Sequence, residues 1–254
     1  MLISSPKHTV KDLDLWRVQE EADCVYGRTK ELAKKAVAAI HEIRKFLRSQ
    51  SYCGVSWGKD SVVVADLVLR TCRIYGLERP AIVWIRVEPI CNPDCMSVRD
   101  EFLATHDCRY HEIIEHCEWG KGEWHASGTL EAGFARAVEL TGSRRYISGV
   151  RADESSERKI LSRTHGASTK TTCRPITWWS SQDVFAWLAA KNLPVHPSYA
   201  MQGGGRWRRE SIRVASLGGR RGAGIGRAEW EREYYGDVLR RLEAAARKPT
   251  VGRK

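Results

Sequence analysis

The residues best suited to do chemistry lie in the stretch SYCGVSWGKDS, residues 51–61. A short run typical of a strand enters a tight turn there, and the turn opens an apolar helix through residues 62–69. Glycine and serine leave backbone N–H groups free at such a turn, and the positive end of the helix dipole points to the same spot. Lys59 adds a full positive charge. The pattern therefore predicts a cradle for an anion, with a phosphate-bearing ligand as its natural occupant.

The spacing of this stretch excludes the Walker A loop, which has four residues between its glycines and Ser or Thr directly after its lysine. Here three residues separate Gly54 from Gly58, and Asp60 follows Lys59. The order Ser-x-Gly-Lys-Asp-Ser resembles the PP-loop of the ATP pyrophosphatases, and within them the phosphoadenosine-phosphosulfate (PAPS) reductase family. That family usually has glycine where this chain has Trp57. A glycine there allows positive φ, which a tryptophan adopts only with strain.

A second segment, GVRADESSER at residues 149–158, resembles the family's Gly-x-Arg-x-x-Glu-Ser-x-x-Arg pattern. Arginine side chains form forked, charge-assisted hydrogen bonds that suit phosphate or sulfate. Arg151 and Arg158 are the candidates for that role. The alternative is that the three carboxylates of the segment simply pair with these arginines on the surface.

A third block, from Cys173 to Tyr199, resembles the family's Arg-Pro-Ile … Trp-x-x-x-Asp-Val … Leu-Pro-x-x-Pro-x-Tyr pattern. Arg174 is expected to reach the anion site, whereas the prolines and the intervening helix are expected to be architectural. His196 stands beside a proline and is interpreted as structural rather than as a functional base. Together the three motifs cover roughly residues 50–200, in the family's order.

The resemblance implies an adenine-nucleotide site for ATP or PAPS, and no metal-ligating residues are assigned beyond the Mg²⁺ alternative for Asp60. It assigns catalysis to Lys59, Asp60 and Arg151. In this assignment Lys59 and the loop amides hold phosphate, Asp60 holds Mg²⁺ or orients the loop, and arginines neutralise the transferring phosphates. The nucleotide-binding set is Ser56, Trp57, Gly58, Lys59, Asp60, Ser61, Gly149, Arg151, Ser155, Arg158 and Arg174.

One departure from the family bears on the activity. The reductases carry a redox cysteine near the C-terminus in a Glu-Cys-Gly-x-His setting, whereas the last cysteine here is Cys173. The resemblance therefore implies cleavage of ATP to AMP and pyrophosphate, which activates a substrate for sulfur transfer or nucleic-acid modification. The alternatives are a PAPS or APS reductase with a displaced thiol, and a non-catalytic nucleotide- or nucleic-acid-binding module.

Alternating strands and helices predict an α/β fold with a doubly wound, mostly parallel sheet, and the resemblance implies the adenine nucleotide α-hydrolase-like type. Three regions are predicted: an N-terminal helical segment (1–50), the PP-loop domain (51–200) and a basic extension (201–254). Strands are predicted at residues 52–55, 81–87, 109–114 and 146–150. Helices are predicted at residues 10–50, 61–75, 94–105, 129–140, 180–191 and 228–246, with a loop at 119–128.

The charge is uneven along the chain. The net charge is +11, and residues 201–254 hold 14 Arg or Lys against six Asp or Glu, which is +8. A basic loop rich in glycine and arginine, residues 202–227, is predicted to be flexible. It is expected to bind a polyanion, either nucleic acid or the bound nucleotide alone. The N-terminal helix is expected to cover the sheet or to form a homodimer surface.

The eight cysteines include no Cys-x-x-Cys pair. With no export signal and no membrane span in the sequence, they are expected to be reduced thiols of a cytoplasmic protein, with no iron–sulfur cluster. A metal site is the weaker alternative. Its candidate ligands are Cys91, Cys95, His106, Cys108, His111, His116 and Cys117.

Overall fold

A computed structural model describes residues 1–120, 123–125, 127–218 and 226–247. At its centre, five parallel strands lie in the order β3-β2-β1-β6-β7. These strands are β1 (Tyr52–Val55), β2 (Ile82–Glu88), β3 (Tyr110–His116), β6 (Tyr146–Ile147) and β7 (Thr172–Cys173). The chain moves outward from β1 through β2 to β3 and then returns to the other side of β1. The point where the strand order reverses therefore lies between β1 and β6, where ligands of such sheets bind.

Helices cover both faces of this sheet. They are α1 (Val10–Tyr26), α2 (Lys30–Phe46), α3 (Lys59–Tyr75), α4 (Asp94–Thr105), α5 (Ser127–Thr141), α6 (Ser156–His165), α7 (Ser181–Ala190) and α8 (Arg227–Arg247). Alternate residues of β1 and β2 enter two different hydrophobic clusters, as expected of strands buried on both faces. The larger cluster includes side chains from α1, α2, α3 and α7, whereas the smaller one includes Ala137 of α5. The α/β fold with a parallel sheet, predicted from the sequence, is confirmed.

The helical segment predicted for residues 10–50 is in fact two helices. Helix α1 ends at Gly27, and α2 begins after Thr29, whose side chain accepts a hydrogen bond from the backbone N–H of Leu32. A Cβ atom on Gly27 would lie 2.8 Å from the carbonyl oxygen of Ala186. The break therefore lets the end of α1 lie directly against α7.

Three other elements differ from the prediction. The predicted loop at 119–128 includes a hairpin of β4 (Glu118–Gly120) and β5 (Glu123–His125), and the start of α5. The fourth predicted strand is shorter, because β6 ends at Ile147. Strand β7 and helix α6 were not predicted. Strand β7 has only two residues, and α6 buries only Ser162, so neither produces a hydrophobic pattern in the sequence.

The described part of the predicted flexible loop, residues 202–218, is built into the core. Ile212, Val214 and Leu217 are buried, and the N–H of Leu217 donates to the carbonyl of Ile90 at 2.8 Å. Arg209 is also buried and donates from Nη1 to Oδ2 of Asp23 at 2.6 Å. The prediction of a flexible loop is therefore wrong for these residues, because apolar side chains and paired charges anchor them. Residues 219–225 lie outside the described residues.

Helix α8, predicted at residues 228–246, buries a face formed by Trp230, Tyr234, Val238 and Leu242. Along the described ranges, none of the helices combines the length and apolar character needed to cross a membrane.

Candidate functional site

The loop of residues 56–61 joins β1 to α3 at the switch point of the sheet. Trp57 adopts a φ of +59° in this loop, the left-handed conformation that favours glycine. Its ring is fully buried and packs against Phe102, with 5.6 Å between ring centroids, and against Trp84 at 6.4 Å. Burial of the ring offsets the backbone strain. Trp57 was predicted to bind the nucleotide, but its side chain points into the core and away from a ligand.

Hydrogen bonds within the same loop and to Tyr199 stabilise its conformation. Ser61 Oγ accepts from the N–H of Ser56 at 3.2 Å and donates to the carbonyl of Gly58 at 3.0 Å. The N–H of Lys59 donates to the hydroxyl of Tyr199 at 3.1 Å. Gly58 is the N-cap of α3 and has no side chain that could accept hydrogen bonds from the N–H groups of the first helical turn. The positive end of the helix dipole is therefore free to attract an anion.

Asp60 lies between two buried cations. Its Oδ1 accepts from Nε of Arg151 at 2.6 Å, and its Oδ2 accepts from Nζ of Lys59 at 3.0 Å. Arg151 also donates to the carbonyl of Trp179 at 3.1 Å and to Oγ of Ser181 at 3.0 Å. The guanidinium of Arg151 is thus committed to protein partners, and it positions Asp60 and the loop.

The expectation that Asp60 holds Mg²⁺ does not fit this arrangement, because a cationic side chain already occupies each carboxylate oxygen. The alternative stated for Asp60, orientation of the loop, fits it. Nowhere in residues 1–120, 123–125, 127–218 and 226–247 do three His, Cys, Asp or Glu side chains gather in a way that could hold a metal ion.

A cleft of about 340 Å³ opens beside the loop. Ser56, Asp60, Gly149 and Arg158 line its polar end. A Cβ atom on Gly149 would lie 2.7 Å from the carbonyl carbon of Asp60, so only glycine allows this approach of β6 to the start of α3.

The other end of the cleft is apolar and aromatic. Phe134 and Tyr146 face each other there with 5.6 Å between ring centroids, and Tyr52 stacks on Tyr146 at 5.7 Å. Gly54 also lines the cleft and, having no side chain, leaves the space above β1 open. Gly54, Phe134 and Tyr146 were not predicted as site residues. The signal for Gly54 was present, since residues 52, 54 and 56 alternate onto one face of the strand.

Positive charge is concentrated at the mouth of the cleft. Arg158 pairs with Glu154, and burial followed by the nearby charges of Arg213 and Arg174 lowers the pKa of Arg158. Within the described residues, the side chains of Arg174 and Arg213 make neither a hydrogen bond nor an ion pair. Ser155, another predicted ligand residue, uses its hydroxyl to cap α6, where it accepts from the N–H of Arg158 at 3.2 Å. The alternative in which carboxylates of residues 149–158 pair with the arginines thus occurs at Arg158 and also at Arg151, whose Nη1 lies 3.7 Å from Oδ2 of Asp153. Arg174 remains available.

The cysteine side chains lie away from the cleft. All eight are free, all lie in the described part of the chain, and none lines the cleft. Cys95 lies beneath the loop, with Sγ 3.8 Å from the carbonyl oxygen of Ser56. A hydrogen bond with Cys91, together with burial, raises the pKa of Cys95. Burial also raises the pKa of Cys72 and of Cys173 to about 11, so these thiols are poor nucleophiles.

The fold and the loop at the switch point define a PP-loop nucleotide-binding protein of the α/β class. The phosphoadenosine phosphosulfate reductase domain matches residues 50–221, which is more than half of the chain. The chain therefore belongs to the PAPS reductase family.

Individual relatives match less extensively. A phosphoadenosine 5′-phosphosulfate reductase from Synechococcus sp. is 33% identical over 64 residues, which are 25% of this chain and 28% of that protein. The phosphate complex of a Candida auris PAPS reductase is 12% identical, covers 66% of this chain and 89% of its own, and has a TM-score of 0.44. The U34-tRNA thiolase NcsA from Methanococcus maripaludis, solved with its 4Fe–4S cluster, is 14% identical, covers 85% and 80%, and has a TM-score of 0.43.

Proposed function

We propose that this protein binds ATP in the cleft and cleaves it between the α- and β-phosphates, releasing pyrophosphate and activating an acceptor as an adenylate. The observation that carries the proposal is the continuity of the cleft. Its aromatic end, at Phe134 and Tyr146, suits a purine base, and its polar end reaches the N-terminus of α3, where the N-cap Gly58 has no side chain. Gly54 lies between the two ends, where a side chain would interrupt the path.

In this proposal the phosphates lie at the start of α3, where the helix dipole and Lys59 supply positive charge. The hydroxyl of Ser56 lines the cleft and is a hydrogen-bond donor for them. A nucleophilic atom of the acceptor forms a bond to the α-phosphorus, and the bond from that phosphorus to the bridging oxygen breaks. The electron pair leaves with pyrophosphate. Arg158 and Arg174 at the mouth stabilise the charge that develops on this leaving group.

A second candidate function is the reduction of PAPS. The burial of the thiols favours ATP cleavage over this reduction. A thiol-dependent reductase needs a thiolate that can attack sulfur. Cys95, the thiol beneath the loop, is fully buried and is held by carbonyl oxygens. PAPS reduction remains the second candidate because the relative from Synechococcus carries that name. It would require a thiol other than these eight cysteine thiols.

The experiment is an analysis of the products formed from ATP labelled at the α-phosphate, separated by thin-layer chromatography. The proposal predicts labelled AMP, or AMP attached to an added acceptor, and its loss in Lys59→Ala. An exposed lysine on α2, Lys34, provides the matched control Lys34→Ala. Labelled ADP would instead indicate cleavage between the β- and γ-phosphates, and intact ATP would indicate a binding module; either result would overturn the proposal.

A further inference from the structure

One tryptophan on the molecular surface has no role in the fold. The side chain of Trp178 is 56% exposed, whereas that of its neighbour Trp179 is 3% exposed. Trp16, Trp57, Trp84, Trp187, Trp207 and Trp230 are also buried, and Trp124 is half-buried. An indole ring left in water gives up the burial energy that an aromatic side chain normally contributes to a fold. Such a ring is therefore a candidate contact for a partner.

Hydrogen bonds to its two neighbours in the chain hold Trp178 close to the turn that follows β6. The carbonyl of Thr177 accepts from the N–H of Ala152 at 2.9 Å, and the carbonyl of Trp179 accepts from Nη1 of Arg151 at 3.1 Å. Both residues that flank Trp178 are thus tied to the turn that follows β6. That turn leads directly into α6, so the indole, α6 and the mouth of the cleft lie in one region of the surface.

This region is strongly basic and partly apolar. Residues 156–174 contain five Arg or Lys and a single acidic residue, Glu157. The basic residues are Arg158, Lys159, Arg163, Lys170 and Arg174. Apart from Arg158, which pairs with Glu154, none of them has a carboxylate partner within the residues that the structure describes. The exposed side chains of Ile160 and Leu161 lie on the same helix.

We infer that this region, comprising α6, Arg174 and Trp178, binds single-stranded nucleic acid and presents it to the cleft. A flat exposed ring beside unpaired cations matches a polymer that alternates flat bases with phosphates. An extended single strand can stack a base on Trp178 while its backbone follows α6. The inference rests on the proposed function, because it names the class of acceptor that would receive the adenylate.

The arginines of the C-terminal region are a poorer candidate for the same role. Arg206 pairs with Glu229 at 2.8 Å, Arg209 is buried against Asp23, and Arg227 pairs with Glu231 at 2.8 Å. Much of the positive charge in the described part of that region is therefore neutralised by the protein itself. We therefore place the nucleic-acid-binding surface around Trp178 and not in the C-terminal region, where the sequence analysis expected it.

The test is fluorescence anisotropy of the full chain with labelled oligonucleotides of deoxythymidine and of uridine, without ATP. Trp178→Ala is expected to weaken binding about 5- to 100-fold, and Trp178→Phe to retain most of it, because stacking needs only an aromatic face. Arg163→Ala is expected to weaken binding and to reduce the slope of log affinity against log salt by about one. The matched control Arg240→Ala removes an exposed arginine of α8 and should change neither quantity.

The absence of saturable binding to both oligonucleotides would overturn the inference, as would Trp178→Ala binding like the wild type. Binding of polyglutamate in place of the oligonucleotides would assign the surface to an acidic protein and would also overturn it. Preference between the two oligonucleotides would separate DNA from RNA as the acceptor. Because the assay contains no ATP, its failure leaves ATP cleavage standing, and failure of ATP cleavage leaves the binding result standing.

Discussion

Nε of Arg151 lies 2.6 Å from Oδ1 of Asp60, across 91 residues of chain. This bond joins the first two of the three segments that carry the family pattern, so the arginine of the second segment holds the acidic residue of the first. With the other oxygen of Asp60 paired to Lys59, buried charges fix the start of α3, and the hydroxyl of Tyr199 accepts from the N–H of Lys59. The anion cradle is therefore organised before any ligand binds.

Removal of Arg151 should destabilise the fold as well as the site. Arg151→Ala breaks a buried ion pair and two further hydrogen bonds, and the expected loss is about 3–5 kcal/mol in the free energy of unfolding. The free energy is measured by urea denaturation, and ATP affinity by calorimetry. Arg174→Ala is the control, because it should weaken ATP binding with little change in stability. A stable Arg151→Ala protein that loses only ATP binding would show that Arg151 contacts the nucleotide instead.

Lys59→Ala should weaken ATP binding about 10- to 100-fold, because a hydrogen bond to a charged group contributes roughly 1.5–3 kcal/mol. Isothermal titration calorimetry measures the effect, with Lys34→Ala as the control of equal charge change. Equal affinities for Lys59→Ala and Lys34→Ala would mean that the loop of residues 56–61 is not the phosphate site.

The substitution Trp57→Gly distinguishes the effect of the strained loop backbone from the effect of the buried indole ring. Glycine removes roughly 1–3 kcal/mol of strain at positive φ, but loss of a buried tryptophan costs about 3–5 kcal/mol. We therefore expect net destabilisation in urea denaturation, with ATP affinity of the folded protein largely retained. A folded Trp57→Gly protein without ATP binding would show that the indole, or the shape it imposes on the loop, is required for the ligand.

His196 gives the stability of the protein a defined pH dependence. Burial lowers its pKa to about 3, and its Nδ1 accepts a hydrogen bond from the N–H of Ser198 at 3.2 Å. The unfolded chain protonates this imidazole below a pH of about 6.5, whereas the folded chain does not. The unfolded state then binds more protons, so the free energy of unfolding falls as the pH falls from about 6.5 toward 3.

From pH 7 to pH 5 this one group should remove about 2 kcal/mol from the free energy of unfolding. His196→Asn keeps an acceptor for the N–H of Ser198 and cannot be protonated in this range, so its decline should be smaller by that amount. Urea denaturation at the two pH values measures both. Identical declines in the two proteins would mean that His196 does not titrate as its burial predicts.

The sequence predicted best those features of the site whose residues lie in one short segment of the chain. The spacing around Lys59 predicted the loop at the end of β1. The family's usual glycine at position 57 marked a place where positive φ is easily adopted, and Trp57 is observed to adopt it. The aromatic end of the cleft was missed because Phe134 and Tyr146 come from separate elements whose meeting has no local signal. The prediction of a flexible loop failed at residues 202–218 for the same reason, since the partner of Arg209 is Asp23, 186 residues away.

ATP cleavage and PAPS reduction are distinguished when one protein preparation receives ATP and PAPS in parallel, under anaerobic conditions with a dithiol reductant and the two oligonucleotides. We expect AMP and pyrophosphate from ATP, or AMP attached to an oligonucleotide, no sulfite from PAPS, and no ATP cleavage by Lys59→Ala. Sulfite released from PAPS while ATP stays intact would contradict this expectation and establish a reductase.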